Sequence, residues 1–161
     1  MHKWFNRCTA QWERIGILMR EVSSPPHIIL AEDNPADVEL VRMALSEHDV
    51  NYEIRVISDG EQVLTFIDGL DLDSKLRCPD LLLLDLHLPK RGGTEILEHL
   101  RASKRCSQTP VVVFTSSDFM SNQENGGKNA VVHYFRKSAS LSQYMELGKI
   151  VKEIVSRPQS S

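Results

Sequence analysis

The chain has 161 residues, 41% of them apolar and 25% charged, and a formal net charge of −3. That size and balance suit one domain with its own core, and the mildly acidic charge excludes the broad basic field that holds nucleic acid directly. No apolar run approaches the ~20 residues of a membrane span.

Residues 1–26 read as an amino-terminal extension. Trp4, Cys8, Trp12, Ile15 and Met19 recur at helical spacing, flanked by Lys3, Arg7, Arg14 and Arg20. Arg7, Gln11, Glu13 and Arg14 interrupt any continuous apolar stretch, so this is not a secretory leader. Two readings are open: a helix that docks on a partner or a membrane surface, or an artefact of a start that belongs at Met19. The second is preferred, because Met19 lies shortly before the Ser23-Ser24-Pro25-Pro26 segment that opens the regular part of the chain.

From His27 the pattern alternates. Ile28 to Ala31 is a short apolar run, as in a strand buried on both faces. Asn34-Pro35 then supplies a helix N-cap and a proline at the first helical position. Leu40, Val41, Ala44, Leu45 and His48 form one face of that helix. Tyr52 to Ile57 reads as a strand and Asp59 to Leu70 as a helix. Leu81 to Leu84, bounded by Pro79-Asp80 and Asp85, is too short for a helix and reads as a strand. Thr94 to Arg105 is a helix with Ile96, Leu97 and Leu100 inward, and Val111 to Phe114 is a strand. Residues 119–129 should be helical by position, but Gly126-Gly127 weakens that helix by roughly 1 kcal/mol per glycine relative to alanine. Val131 to Phe135 is a strand and Leu141 to Val155 the last helix. Five strand-then-helix units predict a parallel sheet with helices on both faces. Cys8, Cys78 and Cys106 form no CxxC and leave an odd count, which predicts free thiols in a reducing compartment. No His or Cys pair has zinc spacing.

In such a sheet the ligand site lies outside the carboxyl ends of the strands. Glu32-Asp33 follows the first strand, Asp85 the third and Thr115 the fourth, and Lys137 lies just past the fifth. Each alone is weak, since an acidic residue after a strand is usually a helix cap. Together they place three carboxylates, a hydroxyl and an ammonium on one edge. Converging carboxylates must bind protons or hold a cation. An all-oxygen site open to water suits Mg²⁺. A carboxylate can attack a phosphoryl group and form an acyl phosphate, with the cation and a lysine neutralising the equatorial oxygens.

This set of residues, with Pro89 four and Gly93 eight places after Asp85, resembles the receiver domain of bacterial response regulators over about Pro26 to Ser156. "ILAEDNPADVELV", "LLLLDLHLPKRGGTEIL" and "VVVFTSS" carry the resemblance. It implies a flavodoxin-like fold: a five-stranded parallel sheet of order 2-1-3-4-5 with five helices in three α/β/α layers. The domain boundaries are then 27–156, with a tail at 157–161. The implied function is that of a single-domain two-component response regulator in the cytoplasm, a signalling module and not an enzyme. Asp85 resembles the phosphoryl acceptor, Asp33 the direct metal ligand, and Glu32 the acidic residue that reaches Mg²⁺ through water. The backbone carbonyl of His87 is the implied third protein ligand. Thr115 resembles the switch hydroxyl, Lys137 the lysine that pairs with the phosphoryl group, and Tyr134 the aromatic residue that turns inward when Thr115 is engaged. The side chains of His87 and Ser117 are expected to tune the lifetime of the phosphorylated state. "AEDNPADVELVRMAL" and "YFRKSASLSQY" resemble stand-alone regulators that accompany bacterial phytochromes and related sensor histidine kinases, which makes such a kinase the implied partner; small chemotaxis-type receivers are the nearest alternative subtype.

The sequence departs from the family in two places. Ser138 follows Lys137 where most receivers have proline, so a trans bond is expected there. Asn129-Ala130-Val131 stands where a Gly-Ala pair is usual, which together with Gly126-Gly127 predicts a short or mobile fourth helix. The apolar residues of the last helix span an arc of roughly 220°, against about 100° for a simple surface helix. A homodimer through the last helix is the first expectation for that excess. Other functions are less favoured. Phosphatases and phosphotransferases of the haloacid dehalogenase type carry a second Asp two places after the nucleophile, where this chain has His87. No GxxxxGK or GxGxxG marks a nucleotide site. Too few residues follow Val155 for a helix-turn-helix domain.

Overall fold

The computed structural model describes residues 24–116, 133–137 and 140–156. In chain order the elements are β1 (His27–Ala31), α1 (Pro35–Glu47), β2 (Glu53–Ile57), α2 (Gly60–Leu72), β3 (Leu81–Leu84), α3 (Gly93–Ala102), β4 (Val111–Thr115), β5 (His133–Arg136) and α4 (Leu141–Val155). The five strands form one parallel sheet in the order β2-β1-β3-β4-β5. The expected fold class is thus observed, with four helices among the described residues. The helix expected over 119–129 lies outside them, as do the amino-terminal stripe, Met19 and the Lys137–Ser138 bond.

The uniformly apolar strands serve two cores at once, because successive side chains of a strand point to opposite faces. On one face Ile28, Leu30, Leu81, Leu83, Val112 and Phe114 pack with α1 and α4. On the other, Ile29, Ala31, Leu82, Leu84, Val111 and Val113 pack with α2 and α3. Register ties the layers together: Ile28 lies beside Leu81, and Leu82 beside Val111. Each fully buried leucine or isoleucine adds roughly 1.5–3 kcal/mol of hydrophobic stabilisation. β2, on an edge, shows the other pattern, with Glu53 and Arg55 exposed between half-buried neighbours.

Local signals start α1 and α2 close to where the sequence placed them. Asn34 Oδ1 accepts from the Ala36 amide at 3.0 Å and Asp59 Oδ1 from the Gln62 amide at 2.9 Å. α3 stops at Ala102, three residues before the expected Arg105. The reason is Asp71, whose carboxylate accepts from Ser103 Oγ at 2.8 Å and from the amides of Lys104 at 3.0 Å and Arg105 at 3.1 Å. The Arg105 guanidinium donates to the carbonyls of Leu70, Asp73, Ser74 and Leu76, satisfying acceptors that the end of α2 leaves open.

The expectation of free thiols is corrected for two of the three cysteines. Cys78 and Cys106 form a disulfide with Cα atoms 5.5 Å apart, joining the segments that lead into β3 and β4. They stand 28 residues apart in sequence. The parallel crossover returns both segments to the same edge of the sheet, which no spacing rule reports. The last helix is also better covered than its arc suggested. Tyr144, Leu147, Gly148, Val151 and Ile154 are buried against α1 and the sheet, while Leu141 stays 49% exposed.

Candidate functional site

The polar ends of β1, β3, β4 and β5 meet in an open crevice beside the start of α1. Glu32 extends β1 by one residue, its amide donating to Ile57 O at 3.0 Å. Its side chain is buried. Oε1 accepts from the Asn34 amide at 3.0 Å and Oε2 from Lys137 Nζ at 2.5 Å. Asp33, next along, faces solvent. The Asp85 amide donates to Ala31 O at 3.0 Å, which locks the residue after β3 against β1. Asp85 Oδ1 accepts from the His87 amide at 3.0 Å and Oδ2 from Lys137 Nζ at 2.6 Å.

The loop that carries Asp85 owes its course to Gly93 at the start of α3. A Cβ on Gly93 would lie 2.7 Å from Leu86 Cα and 2.9 Å from Asp85 O, so any side chain there would push Asp85 away from the crevice. Lys137 is fixed by its own backbone, since its amide donates to Thr115 O at 2.8 Å. Its ammonium stands 4.7 Å from the centre of the Phe114 ring, within cation–π range. Thr115 is buried, with Oγ1 3.2 Å from His87 Nδ1. Tyr134 sits half-buried in β5 against the α2/α3 core and does not line the crevice. Ser117 lies outside the described residues.

Burial pushes the Glu32 carboxyl above its ordinary pKa, only partly opposed by the Lys137 hydrogen bond. Burial also works against the Lys137 ammonium, but the hydrogen bonds it donates to Asp85 and Glu32 outweigh it and hold the lysine above its usual value. Glu32, Asp33 and Asp85 each offer a carboxylate oxygen within 4.8 Å of the others. These are hard oxygen donors at the mouth of an open crevice, and they fit a divalent cation.

Asp37 and Tyr144 also line the crevice and were not among the residues expected there. Asp37, in the first turn of α1, puts Oδ2 3.1 Å from Lys137 Nζ, and Tyr144 of α4 donates its hydroxyl to Asp37 Oδ1 at 2.7 Å. Asp37 stands one helical turn from Asp33, a spacing that could have drawn attention to it. Tyr144 sits on the apolar face of α4, where an aromatic residue is most simply read as core.

Known proteins share the sequence pattern and the fold. The response regulator receiver domain matches residues 28–147. Response regulator Rcp1 of Synechocystis sp. is 32% identical over 142 residues, covering 86% of this chain and 92% of its own. Among solved structures, phosphorylated cyanobacterial phytochrome response regulator RcpA superposes with a TM-score of 0.69 at 32% identity, over 81% of this chain and 93% of its own. The Mn²⁺-bound form of Rcp1 superposes with a TM-score of 0.71 at 27% identity, over 85% of this chain and all of its own. The haloacid-dehalogenase alternative gains no support, and this chain belongs to the response regulator receiver family of two-component signalling.

Proposed function

We propose that Asp85 accepts a phosphoryl group from the phosphohistidine of a sensor histidine kinase, with Mg²⁺ as the cation. In that step the P–N bond to the kinase imidazole breaks as a P–O bond to an Asp85 carboxylate oxygen forms. The supporting observation is the position of Lys137, whose ammonium bonds the acceptor carboxylate and an acidic neighbour at the ends of four strands. Glu32, Asp33, Asp85 and the backbone carbonyl of His87 would hold Mg²⁺, which when bound neutralises negative charge on the carboxylates and on the phosphoryl oxygens. Lys137 and Thr115 would stabilise phosphoryl oxygens, and Tyr134 would report the state of Thr115. His87, already within 3.2 Å of Thr115, would shape the path of attacking water and so the lifetime of the acyl phosphate.

The resemblance to regulators named for phytochromes makes a phytochrome-like kinase in the cytoplasm the reading for the partner. The chain then acts as a signalling module, taking up one phosphoryl group without turning over a diffusible substrate. Leu141, exposed, with half-buried Met145 one turn along on the same side, offers the face for a homodimer through α4. Among the described residues no helix is long and apolar enough to cross a membrane.

The test is incubation with a small acyl phosphate and Mg²⁺, read by intact mass. One added phosphoryl group is expected, dependent on Mg²⁺ and absent in Asp85→Asn. An unmodified wild-type protein that still binds Mg²⁺ would overturn the acceptor role.

A further inference from the structure

Lys137 has more carboxylate partners than its role at the phosphoryl group requires. Its Nζ lies 2.5 Å from Glu32, 2.6 Å from Asp85 and 3.1 Å from Asp37. Glu32 and Asp85 belong to the cluster that fits a cation; Asp37 does not. Asp37 is therefore the carboxylate that still faces the ammonium when the other two are engaged elsewhere. Its orientation is held by the Tyr144 hydroxyl at 2.7 Å and by Asn34 Nδ2 at 3.2 Å. Of these two donors Tyr144 is the rigid one. It is 1% exposed, and its ring packs edge-on to Phe114 at 5.6 Å and near Phe135 at 6.1 Å.

We propose that Asp37 and Tyr144 form a positioning pair that gives Lys137 an anchor outside the cation ligands and links its position to the seating of α4. Neither residue touches the reacting atoms. The pair acts through the lysine, and the proposal rests on reading Asp85 as the phosphoryl acceptor. A buried tyrosine needs a hydrogen-bond partner in any case, so the competing account is that Tyr144 is an ordinary core residue whose hydroxyl found the nearest acceptor. The two accounts differ in what happens to Lys137. With Tyr144 as a positioning residue, loss of its hydroxyl frees the Asp37 carboxylate, and the ammonium shifts its weight onto Glu32 and Asp85, where it competes with the cation.

Tyr144→Phe keeps the ring and removes only the hydroxyl, with no change of charge. The Lys137 ¹⁵Nζ resonance should move in the metal-free protein. Mg²⁺ affinity by calorimetry should fall about 3- to 10-fold, at or below the low end of the effect of groups that orient a metal ligand. In an Asp37→Asn background the same substitution should change neither reading, because the amide no longer holds the ammonium. Asp37→Asn alone should move the same lysine resonance, which keeps the test available if Tyr144→Phe folds poorly. A Lys137 resonance at its wild-type position in both single variants would overturn the proposal. So would an equal loss of Mg²⁺ affinity from Tyr144→Phe with and without Asp37. If wild-type protein takes no phosphoryl group yet both single variants move the lysine resonance, the acceptor role fails and the pair stands.

Discussion

The same substitution, glycine to alanine, should have opposite effects in two helices of this protein. In an unobstructed helix it stabilises by about 0.8–1 kcal/mol, because glycine loses more backbone freedom on folding. Gly69 in α2 is such a place, since a methyl group added there would meet nothing within 4 Å. Gly148 in α4 is not. Its Cβ would lie 2.2 Å from Ala44 O and 2.6 Å from His48 Cδ2, and the nearest atom is backbone of α1, which cannot swing aside. Ordinary contact begins near 3.4 Å, so α4 must withdraw from α1 by about 1 Å. The withdrawal loosens Tyr144, Leu147 and Val151, all buried against the same neighbours. Gaps of 0.5–1 Å forfeit roughly a quarter to a half of the dispersion well for each contact affected, and overpacking of this kind costs typically about 1–3 kcal/mol. The propensity gain offsets less than half of the upper figure. A 2.2 Å clash with backbone belongs at that upper figure, so Gly148→Ala is expected to destabilise by about 2 kcal/mol net, and Gly69→Ala to stabilise by up to about 1. At about 2–4 °C per kcal/mol for a chain of this size, urea and thermal unfolding would separate the two variants by several degrees. A Gly148→Ala protein as stable as the wild type would refute the close approach of α1 and α4, and with it the seating of Tyr144 at the crevice.

Two further outcomes follow from the geometry. A hydrogen bond from Lys90 Nζ at 2.9 Å holds the Asp59 carboxyl below its usual range; a depressed folded-state value contributes stability that is present above the unfolded value near 3.8 and is lost as pH falls through the lower folded value. Acid titration of unfolding should therefore lose part of its slope below about pH 4 in Asp59→Asn, and an unchanged profile would place the acid sensitivity elsewhere. Reduction of Cys78–Cys106 should lower stability by up to about 3–4 kcal/mol from chain entropy alone, read as a drop in the urea midpoint that a Cys78→Ser, Cys106→Ser protein reproduces without reductant; equal midpoints with and without reductant would show that the bridge does not constrain the unfolded chain.

The elements that were legible in the sequence are those whose cause lies along the chain. Four leucines in a row between Pro79-Asp80 and Asp85 can be little other than a strand buried on both faces, and Asn34-Pro35 and Asp59 announce their helices through groups two or three residues away. The candidate site was legible for the same reason: parallel topology sends every strand's carboxyl end to one edge, so Glu32, Asp33, Asp85, Thr115 and Lys137 could be brought together from their order alone. What escaped depends on pairs that only the crossovers bring together. Asp71 ends α3 from a helix 32 residues earlier, Cys78 finds Cys106, and Tyr144 reaches Asp37 across 107 residues. Each of these residues has an adequate local reading, as a solvated acid, a packing thiol or a core aromatic, and nothing in its neighbours contradicts that reading.

The hydrogen bonds at Asp85 also bear on what limits its reactivity. Both carboxylate oxygens are engaged, Oδ1 by the His87 amide and Oδ2 by Lys137. The His87 bond comes from the backbone and fixes the plane of the carboxylate, which favours attack from one oxygen in one direction. The Lys137 bond occupies Oδ2 with the charge that, in the proposed phosphorylation, would pass to the phosphoryl group. An oxygen whose lone pair is committed to an ammonium is a poorer nucleophile than one that is free, so Oδ2 gains reactivity as the lysine moves off it. If Asp85 is the acceptor, as proposed, the lysine's short travel from carboxylate to phosphoryl oxygen is what frees Oδ2 for attack. A fixed partner outside the reacting set, such as the proposed Asp37–Tyr144 pair, would keep that travel short, because the buried ammonium is never left without a counter-charge.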